Sequence, residues 1–546
     1  MNNFIIRTED IKNHDITKFY VETKQDRESI EQLKSMQQLL LVGSRGVGKT
    51  MLLKVAESEM DKEYSNKRYL PVYMSFSKGI LVNSKLDTSN FRHWMLAKIL
   101  NAFRSAMLRK GIITSVTNPF KFLFNKDNES TNSLDKFIET LEETWRNNSI
   151  LDRNQIIQIL GIDAANYKII DDIDFIKEVI HQFCITYNIS KVVLLFDEAC
   201  HNFIPEQQRE FFTLFRDLRS SYICCKAAVY PGITNFGTVQ TFHDVVTRKI
   251  ERNISDVDYT KNMREIIKNQ LPNDIYNNLL RNGEELDALI YCSSGNPRLL
   301  LKSVEQASNG FKKLKRQDVN KVIKDFYRIQ IWNDHTKLSD IYSGHKVLID
   351  WGRKFLEESV LIETMNKNIN RKPQQSIFFA IHRDSPEVVK RAVRILEYSG
   401  IVSLHTEGTK VKTEIYDRYQ INFGIVIASE VGTSIIERFS ELNRGLSTKL
   451  YTEYGKNSRS YVDLPKIDFD EEDISHILSL MLSKSIDILD ITLSKKTELK
   501  KVGFKTIGDI LKSTEVELQN AYYVGPYYSR KIYNTAYNAA IEYISG

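Results

Sequence analysis

Residues 37–57 read QQLLLVGSRGVGKTMLLKVAE, and this stretch constrains the fold more than any other. The apolar run Leu39–Val42 predicts a buried strand, and helix-forming residues follow Lys49. Between them, Gly43, Ser44, Arg45, Gly46, Val47, Gly48, Lys49 and Thr50 fit the phosphate-binding pattern G-x-x-x-x-G-K-[ST] in its required strand–turn–helix setting. Glycines at 43, 46 and 48 let backbone N–H groups curl around an anion, and the helix start adds the positive end of its dipole. Lys49 then offers a point charge to β- and γ-phosphates, and the Thr50 hydroxyl is a Mg²⁺ ligand. ATP and Mg²⁺ are the expected ligands.

Such a turn needs a second strand carrying an acid. Residues 191–198, KVVLLFDE, supply five apolar residues and then Asp197 and Glu198. A continuous apolar run suits a parallel strand buried on both faces, and its C-terminal end is where open α/β sheets bind ligands. Asp197 is expected to hold the Mg²⁺ shell and Glu198 to polarise the attacking water. A further apolar run, Tyr222–Tyr230, ends in Pro-Gly-Ile-Thr-Asn, which puts Thr234 and Asn235 at a strand tip as γ-phosphate sensors or as a plain turn. Ser294-Gly-Asn-Pro-Arg298 starts another helix. An Arg in a first helical turn opposes the dipole, so Arg298 is expected to face an anion.

In this order, GSRGVGKT, LLFDEA, PGITN and SGNPRLL resemble an AAA+ ATPase of the origin-recognition/initiator (ORC-CDC-like) clade, with STAND P-loop ATPases as relatives. The resemblance covers roughly residues 15–310. It implies an α/β fold: a P-loop ASCE/AAA+ parallel sheet core (1–255, with a helical insertion at about 80–185) and a helical lid (256–335). It also implies ATP hydrolysis by Lys49, Thr50, Asp197 and Glu198, a sensor-2 role for Arg298, and an adenine-packing segment at 20–27. A trans arginine finger is implied as well, with Arg248 and Arg252 ahead of Arg216 and Arg219. His201 is read as a neighbour of the site.

Beyond the lid, Val389, Ala392, Val393 and Leu396 follow helical spacing, and Lys390, Arg391 and Arg394 share the other face. Residues 403–422 predict a hairpin turning at Glu407-Gly408. Helix plus hairpin is the layout of a winged helix-turn-helix (336–448), in which Lys390, Arg391, Arg394, Lys410 and Lys412 would contact DNA phosphates. A polar linker (449–484) leads to a small all-α unit (485–546) with Gly503 and Gly525 between short helices. That unit resembles a helix-hairpin-helix and the C-terminal domain of the RNA polymerase α subunit, although Pro526 removes one hairpin N–H. Arg530 and Lys531 are its backbone-binding candidates.

The net charge of +6 is too small for the whole surface to attract nucleic acid, so DNA binding must come from local patches. The five cysteines show no C-x-x-C spacing, which excludes a zinc ribbon and predicts reduced thiols. No signal peptide or membrane span is predicted, so the expected location is cytoplasmic. The leading expectation is an ATP-hydrolysing AAA+ switch that binds DNA, in mobile-element maintenance or anti-phage defence, working as a homo-oligomer or with a separate effector chain. The alternative is a STAND-like signalling ATPase whose C-terminal domains bind protein.

Overall fold

The computed structural model describes residues 4–78, 88–114, 133–147, 149–199, 205–234, 236–237, 239–240, 243–341, 345–430, 434–462, 464 and 481–544. It divides into two compact units, one of Met1–Arg252, Asp258–Tyr276 and Asn296–Lys302, the other of Asn253–Val257, Asn277–Gly295 and Ser303–Gly546. The stretch 256–335, read as one lid, is therefore shared between them.

In the first unit, helix α1 (Lys24–Lys34) starts at a capping box, with Thr23 and Asp26 satisfying each other's backbone N–H groups. Strand β1 (Leu39–Val42) runs through the phosphate-binding turn into α2 (Lys49–Lys67), followed by β2 (Tyr69–Ser75). Between β2 and β3 the described residues form α3 (Thr88–Arg109), α4 (Ser133–Asn147), α5 (Arg153–Leu160) and α6 (Ile173–Thr186), among other segments. Then come β3 (Lys191–Asp197), α7 (Pro205–Asp217), β4 (Ile223–Val229) and β5 (Val246–Lys249). The five strands are parallel in the order β2-β3-β4-β1-β5. The acid strand is thus separated from the phosphate-binding strand by β4, and both end on the same sheet edge.

Strand periodicity builds the two layers around this sheet. Val193 and Leu195 point to one face, where they join Leu39, Leu41 and the α2 residues Leu52, Leu53, Ala56 and Met60 in one core cluster. Phe196 points to the other face, with its ring 5.7 Å from Phe76 and 5.3 Å from Phe211. Trp94 of α3 lies 5.4 Å from Phe76, so the insertion closes that second face. Cys184, Cys224, Cys225 and Cys292 are buried free thiols, while Cys200 and His201 lie outside the described residues.

In the second unit, α8 (Lys346–Phe355) precedes β6 (Phe378–His382) and α9 (Glu387–Tyr398). The expected stripe Val389, Ala392, Val393 and Leu396 is buried, but Val388, Ile395 and Tyr398 are buried too, so α9 is covered on most of its surface. The hairpin of β7 (Val402–Val411) and β8 (Glu414–Ile421) turns at Lys412-Thr413 rather than at Glu407-Gly408. Gly408 instead sits in an irregularity between Thr406 and Thr409, with φ +64° and its N–H donated to Asp417 Oδ1 at 3.0 Å. A glycine in the left-handed region there accommodates a bulge, and pairing resumes beyond it.

The sheet is completed by β9 (Thr452–Tyr454), parallel to β6, which corrects the linker reading for 449–462. Tyr454 is buried between Phe355 and Phe379, and the Trp351 indole donates to Val462 O at 2.9 Å. Residues 463 and 465–480 lie outside the described residues. Two helices then frame the C-terminal glycine turns, α10 (Leu493–Lys501) and α11 (Pro526–Ile544). Gly503 has φ +103° in the turn after α10, and Gly525 immediately precedes α11.

One lysine interrupts the apolar strand β4. Lys226 is fully buried and donates to Ser35 O at 2.9 Å, to Gln32 O at 3.3 Å and to Gln37 O, so it ties β4 to the carboxyl end of α1. Lys226→Met removes the donor and keeps the volume. It should lower unfolding free energy by about 2 kcal/mol in a urea titration, and an unchanged midpoint would contradict this anchoring role.

Candidate nucleotide site

The turn from β1 to α2 passes close beneath residues 296–298. Gly46 has φ +89°, and a Cβ there would lie 2.7 Å from Asn296 Oδ1 and 2.9 Å from Arg298 Cβ. Gly48, the residue before α2, has φ +107°. Only glycine meets both demands. Asn296 fastens the contact by donating Nδ2 to Arg45 O at 2.8 Å. On the opposite side, Arg252 donates Nη1 to Val47 O at 2.7 Å and pairs with Asp26 at 3.3 Å.

The chemical groups converge along this turn. Buried Lys49 donates Nζ to Gly43 O at 2.6 Å and Ser44 O at 2.9 Å, and it lies 3.8 Å from the centre of the Tyr230 ring. Asp197 Oδ2 accepts from the Tyr73 hydroxyl at 2.8 Å. Burial pushes the Asp197 carboxyl above its ordinary range, against the opposing effect of the Tyr73 hydrogen bond and of the nearby Thr50 hydroxyl. Glu198 takes φ +55° just past the strand, and its Oε2 accepts from Ser75 Oγ at 3.3 Å. Its carboxyl is also raised, first by burial, then by Asp197 and Glu9.

Arg298 sits in the first turn of the helix Pro297–Ala307. Its buried Nε has no hydrogen-bond partner among the described residues. Burial, and then Arg45, push its guanidinium below its ordinary value. A half-buried cation whose largest charged influence is another cation favours an anionic neighbour.

These groups line one cavity of about 350 Å³, within the range of small-molecule sites. Arg45, Gly46, Gly48, Lys49, Thr50, Ser75, Glu198 and Arg298 form its polar part. Ile5, Ile6, Phe19, Tyr20, Val21, Ile266 and Leu301 form an apolar part suited to a base. Of the segment 20–27, only Tyr20 and Val21 reach this lining, and residues 5–11 make up much of the rest. The donor set fits a nucleoside triphosphate; Thr50 is part of the lining, whereas Asp197 is buried and outside it. Among the described residues no cluster of three or more His, Cys, Asp or Glu could hold a metal.

Other expectations fare differently. Arg252, expected as a trans finger, is engaged within the chain on its own phosphate-binding turn. Arg248 pairs with Glu28 at 2.5 Å, and Arg216 with Asp217 at 2.8 Å. Thr234 spends its hydroxyl on Tyr230, donating to O at 2.6 Å and accepting from N at 3.1 Å, as a turn residue does. Asn235 lies outside the described residues. In the second unit, Lys390 pairs with Glu387 at 2.7 Å and Arg391 bonds His345 at 3.1 Å, because α9 is mostly buried. Arg394, Lys410 and Lys412 are exposed. Arg530 pairs with Glu515 at 3.1 Å, and Lys531 is exposed.

Sequence reasoning missed Tyr73, Ser75, Asn296 and the bond from Arg252 to Val47 O. Position within β2 is the only signal for Tyr73 and Ser75, and the Gly-Asn-Pro turn locates Asn296 without indicating its contact with Arg45.

Two variants test the site's physics. Gly46→Ala should cost about 2 kcal/mol or more through strain and collision with Asn296, and wild-type stability would contradict the observed approach. For Asp197 the raised carboxyl means that the folded state holds its proton more readily than the unfolded chain. The ionised form is therefore a stability cost that is absent in acid and grows as pH rises through the folded-state pKa. Asp197→Asn should melt higher than wild type at pH 7.5, with the difference shrinking toward acid; a lower melting temperature would show that the charge is fully compensated.

The model of the ORC-CDC6-like family matches residues 4–320 of this chain. No curated protein matches it. Among solved structures, it is similar to the Aeropyrum pernix ORC1 protein in complex with DNA, at 11% identity and a TM-score of 0.30, over 80% of this chain and 95% of that one. With a family match across more than half of its length, and with the motif order of that clade, the chain belongs to the ORC-CDC6-like family of AAA+ proteins.

Proposed function

We propose that this protein is an ATP-binding and ATP-hydrolysing switch that contacts DNA through its C-terminal segments. The observation that carries the nucleotide half is the convergence of Lys49, Thr50, Glu198 and the partnerless Arg298 Nε on one cavity, with Glu198 following directly on the buried Asp197.

In this reading, the phosphate-binding turn and Lys49 cradle the triphosphate. Lys49 leaves its carbonyl partners to do so. Bound Mg²⁺ supplies charge neutralisation at the phosphates, with Thr50 and Asp197 as its protein ligands. Glu198 orients water and accepts its proton; a carboxylate raised by burial is a stronger base than an exposed one. Arg298 neutralises charge at the phosphate end and thereby reports occupancy through its helix. The adenine lies against Tyr20, Val21 and Ile266. Asn235 keeps its proposed place as a phosphate sensor.

DNA contact rests on the exposed cations of the hairpin, Lys410 and Lys412, and on exposed Arg394 of α9, which also lies 3.9 Å from Glu387. Lys390 and Arg391 contribute less, since each is engaged within the chain. That engagement favours the second reading, a STAND-like nucleotide switch whose C-terminal segments bind protein.

Turnover by the full chain, with and without duplex, separates these readings. Lys49→Ala and Glu198→Gln should each lower ATP turnover by about 100-fold or more, and wild-type turnover in either would remove the hydrolytic claim. The acid limb of the pH profile should lie above the ordinary carboxylate range, because Glu198 works only when ionised. Duplex affinity should fall with salt at a slope of about −0.9 per phosphate contact, and Lys410→Glu with Lys412→Glu should flatten it by about two contacts. Turnover indifferent to DNA, with no duplex binding at low salt, would favour the protein-binding switch.

A further inference from the structure

The C-terminal unit presents aromatic rings where folding alone would hide them. Within seven residues, Tyr522, Tyr523, Tyr527 and Tyr528 are 67%, 77%, 62% and 40% exposed, whereas Tyr537 on the same helix α11 is 2% exposed. The rings form two edge-on pairs, Tyr522–Tyr523 at 4.3 Å and 66° and Tyr527–Tyr528 at 5.2 Å and 78°. In an edge-on pair the edge of one ring meets one face of the other, so parallel stacking does not use up the remaining faces. Tyr523 holds φ +58°, an unusual backbone for a bulky residue.

Gly525 lies between the pairs, and a Cβ added there would meet nothing within 4 Å. The chain keeps open space at that point without a packing need for it. Cations rim the surface. Lys495 of α10 lies 3.5 Å from the centre of the Tyr528 ring, and exposed Lys531 follows one turn along α11. The other α10 lysines have partners: Lys496 and Lys500 on Asp487, Lys501 on Glu498.

We propose that the tyrosine hairpin, residues 522–528, is a stacking surface for single-stranded nucleic acid. Unpaired bases offer flat π faces to tyrosine, and the phosphates between them suit Lys495 and Lys531. A duplex keeps its base faces stacked inside, so it cannot use exposed rings in this way. An aliphatic protein surface would gain nothing from the cationic rim. The proposal adds a nucleic-acid mode that is independent of the β7–β8 hairpin, and its failure is distinguishable from failure of duplex binding there.

The test uses the full chain, a labelled 15-nucleotide oligo-dT strand and a matched duplex, read by fluorescence anisotropy at low salt. Wild type should bind oligo-dT. Tyr523→Ala with Tyr527→Ala should weaken that binding about 10-fold or more, while the two Tyr→Phe changes preserve it and duplex affinity stays unchanged. Circular dichroism checks that each variant is folded. Wild-type oligo-dT affinity in the folded Ala variant, or no binding by wild type, would overturn the proposal. If the Ala changes instead abolish self-association in sedimentation while oligo-dT binding persists, the surface is an interface between copies of this chain.

Discussion

The close passage of the Gly43–Thr50 turn beneath Asn296 and Arg298 is the constraint on which the site depends. A Cβ at Gly46 would lie 2.7 Å from Asn296 Oδ1, so the turn can lie there only as bare backbone. That approach brings Arg298, distant in sequence, to the rim of the cavity that holds Lys49 and Thr50. Arg252 braces the turn from the other side through Val47 O. The turn is thus held between two arginine-bearing segments, one fixed by backbone approach and one by hydrogen bonds.

The charges along this turn are arranged against their own stability. Burial and the nearby Arg45 push the Arg298 guanidinium below its ordinary value, and Asp197 is buried while Glu198 follows it directly. Separated cations and carboxylates of this kind are costly in a closed core. They make sense around a polyanion with a divalent cation, which would relieve both sets at once. In the proposed switch, that relief is how nucleotide binding would shift a conformational equilibrium.

The parts of this arrangement that were legible in the sequence are those fixed by local spelling. Gly43–Thr50 between an apolar run and a helix, and Asp197-Glu198 after five apolar residues, locate themselves. The first-turn position of Arg298 against the helix dipole was also a usable sign. What was not legible depends on register across the sheet. Tyr73 meets Asp197 because β2 pairs with β3 so that Ser75 lies opposite Asp197, and nothing in VYMS announces that pairing. Arg252 reads as an exposed basic residue until β5 places it beside Val47.

The C-terminal half was read less accurately for a related reason. The stripe on α9 was visible, but the extra burial of Val388 and Ile395 comes from its tertiary neighbours and ties up Lys390 and Arg391. Gly408 looked like a hairpin turn, and a bulge satisfied by Asp417 uses the same residue chemistry. Residues 450–462 are polar, yet two aromatic anchors, Tyr454 and the Trp351 bond to Val462 O, pull them into the fold. In the proposed switch the Arg298 guanidinium, whose buried Nε has no partner among the described residues, completes an anion site for the terminal phosphate. Calorimetric titration of ATP and ADP into wild type and Arg298→Ala tests it most directly. The account predicts that wild type prefers ATP and that the variant loses about 10-fold in ATP affinity while binding ADP almost as before; equal losses for both nucleotides, or none, would contradict it.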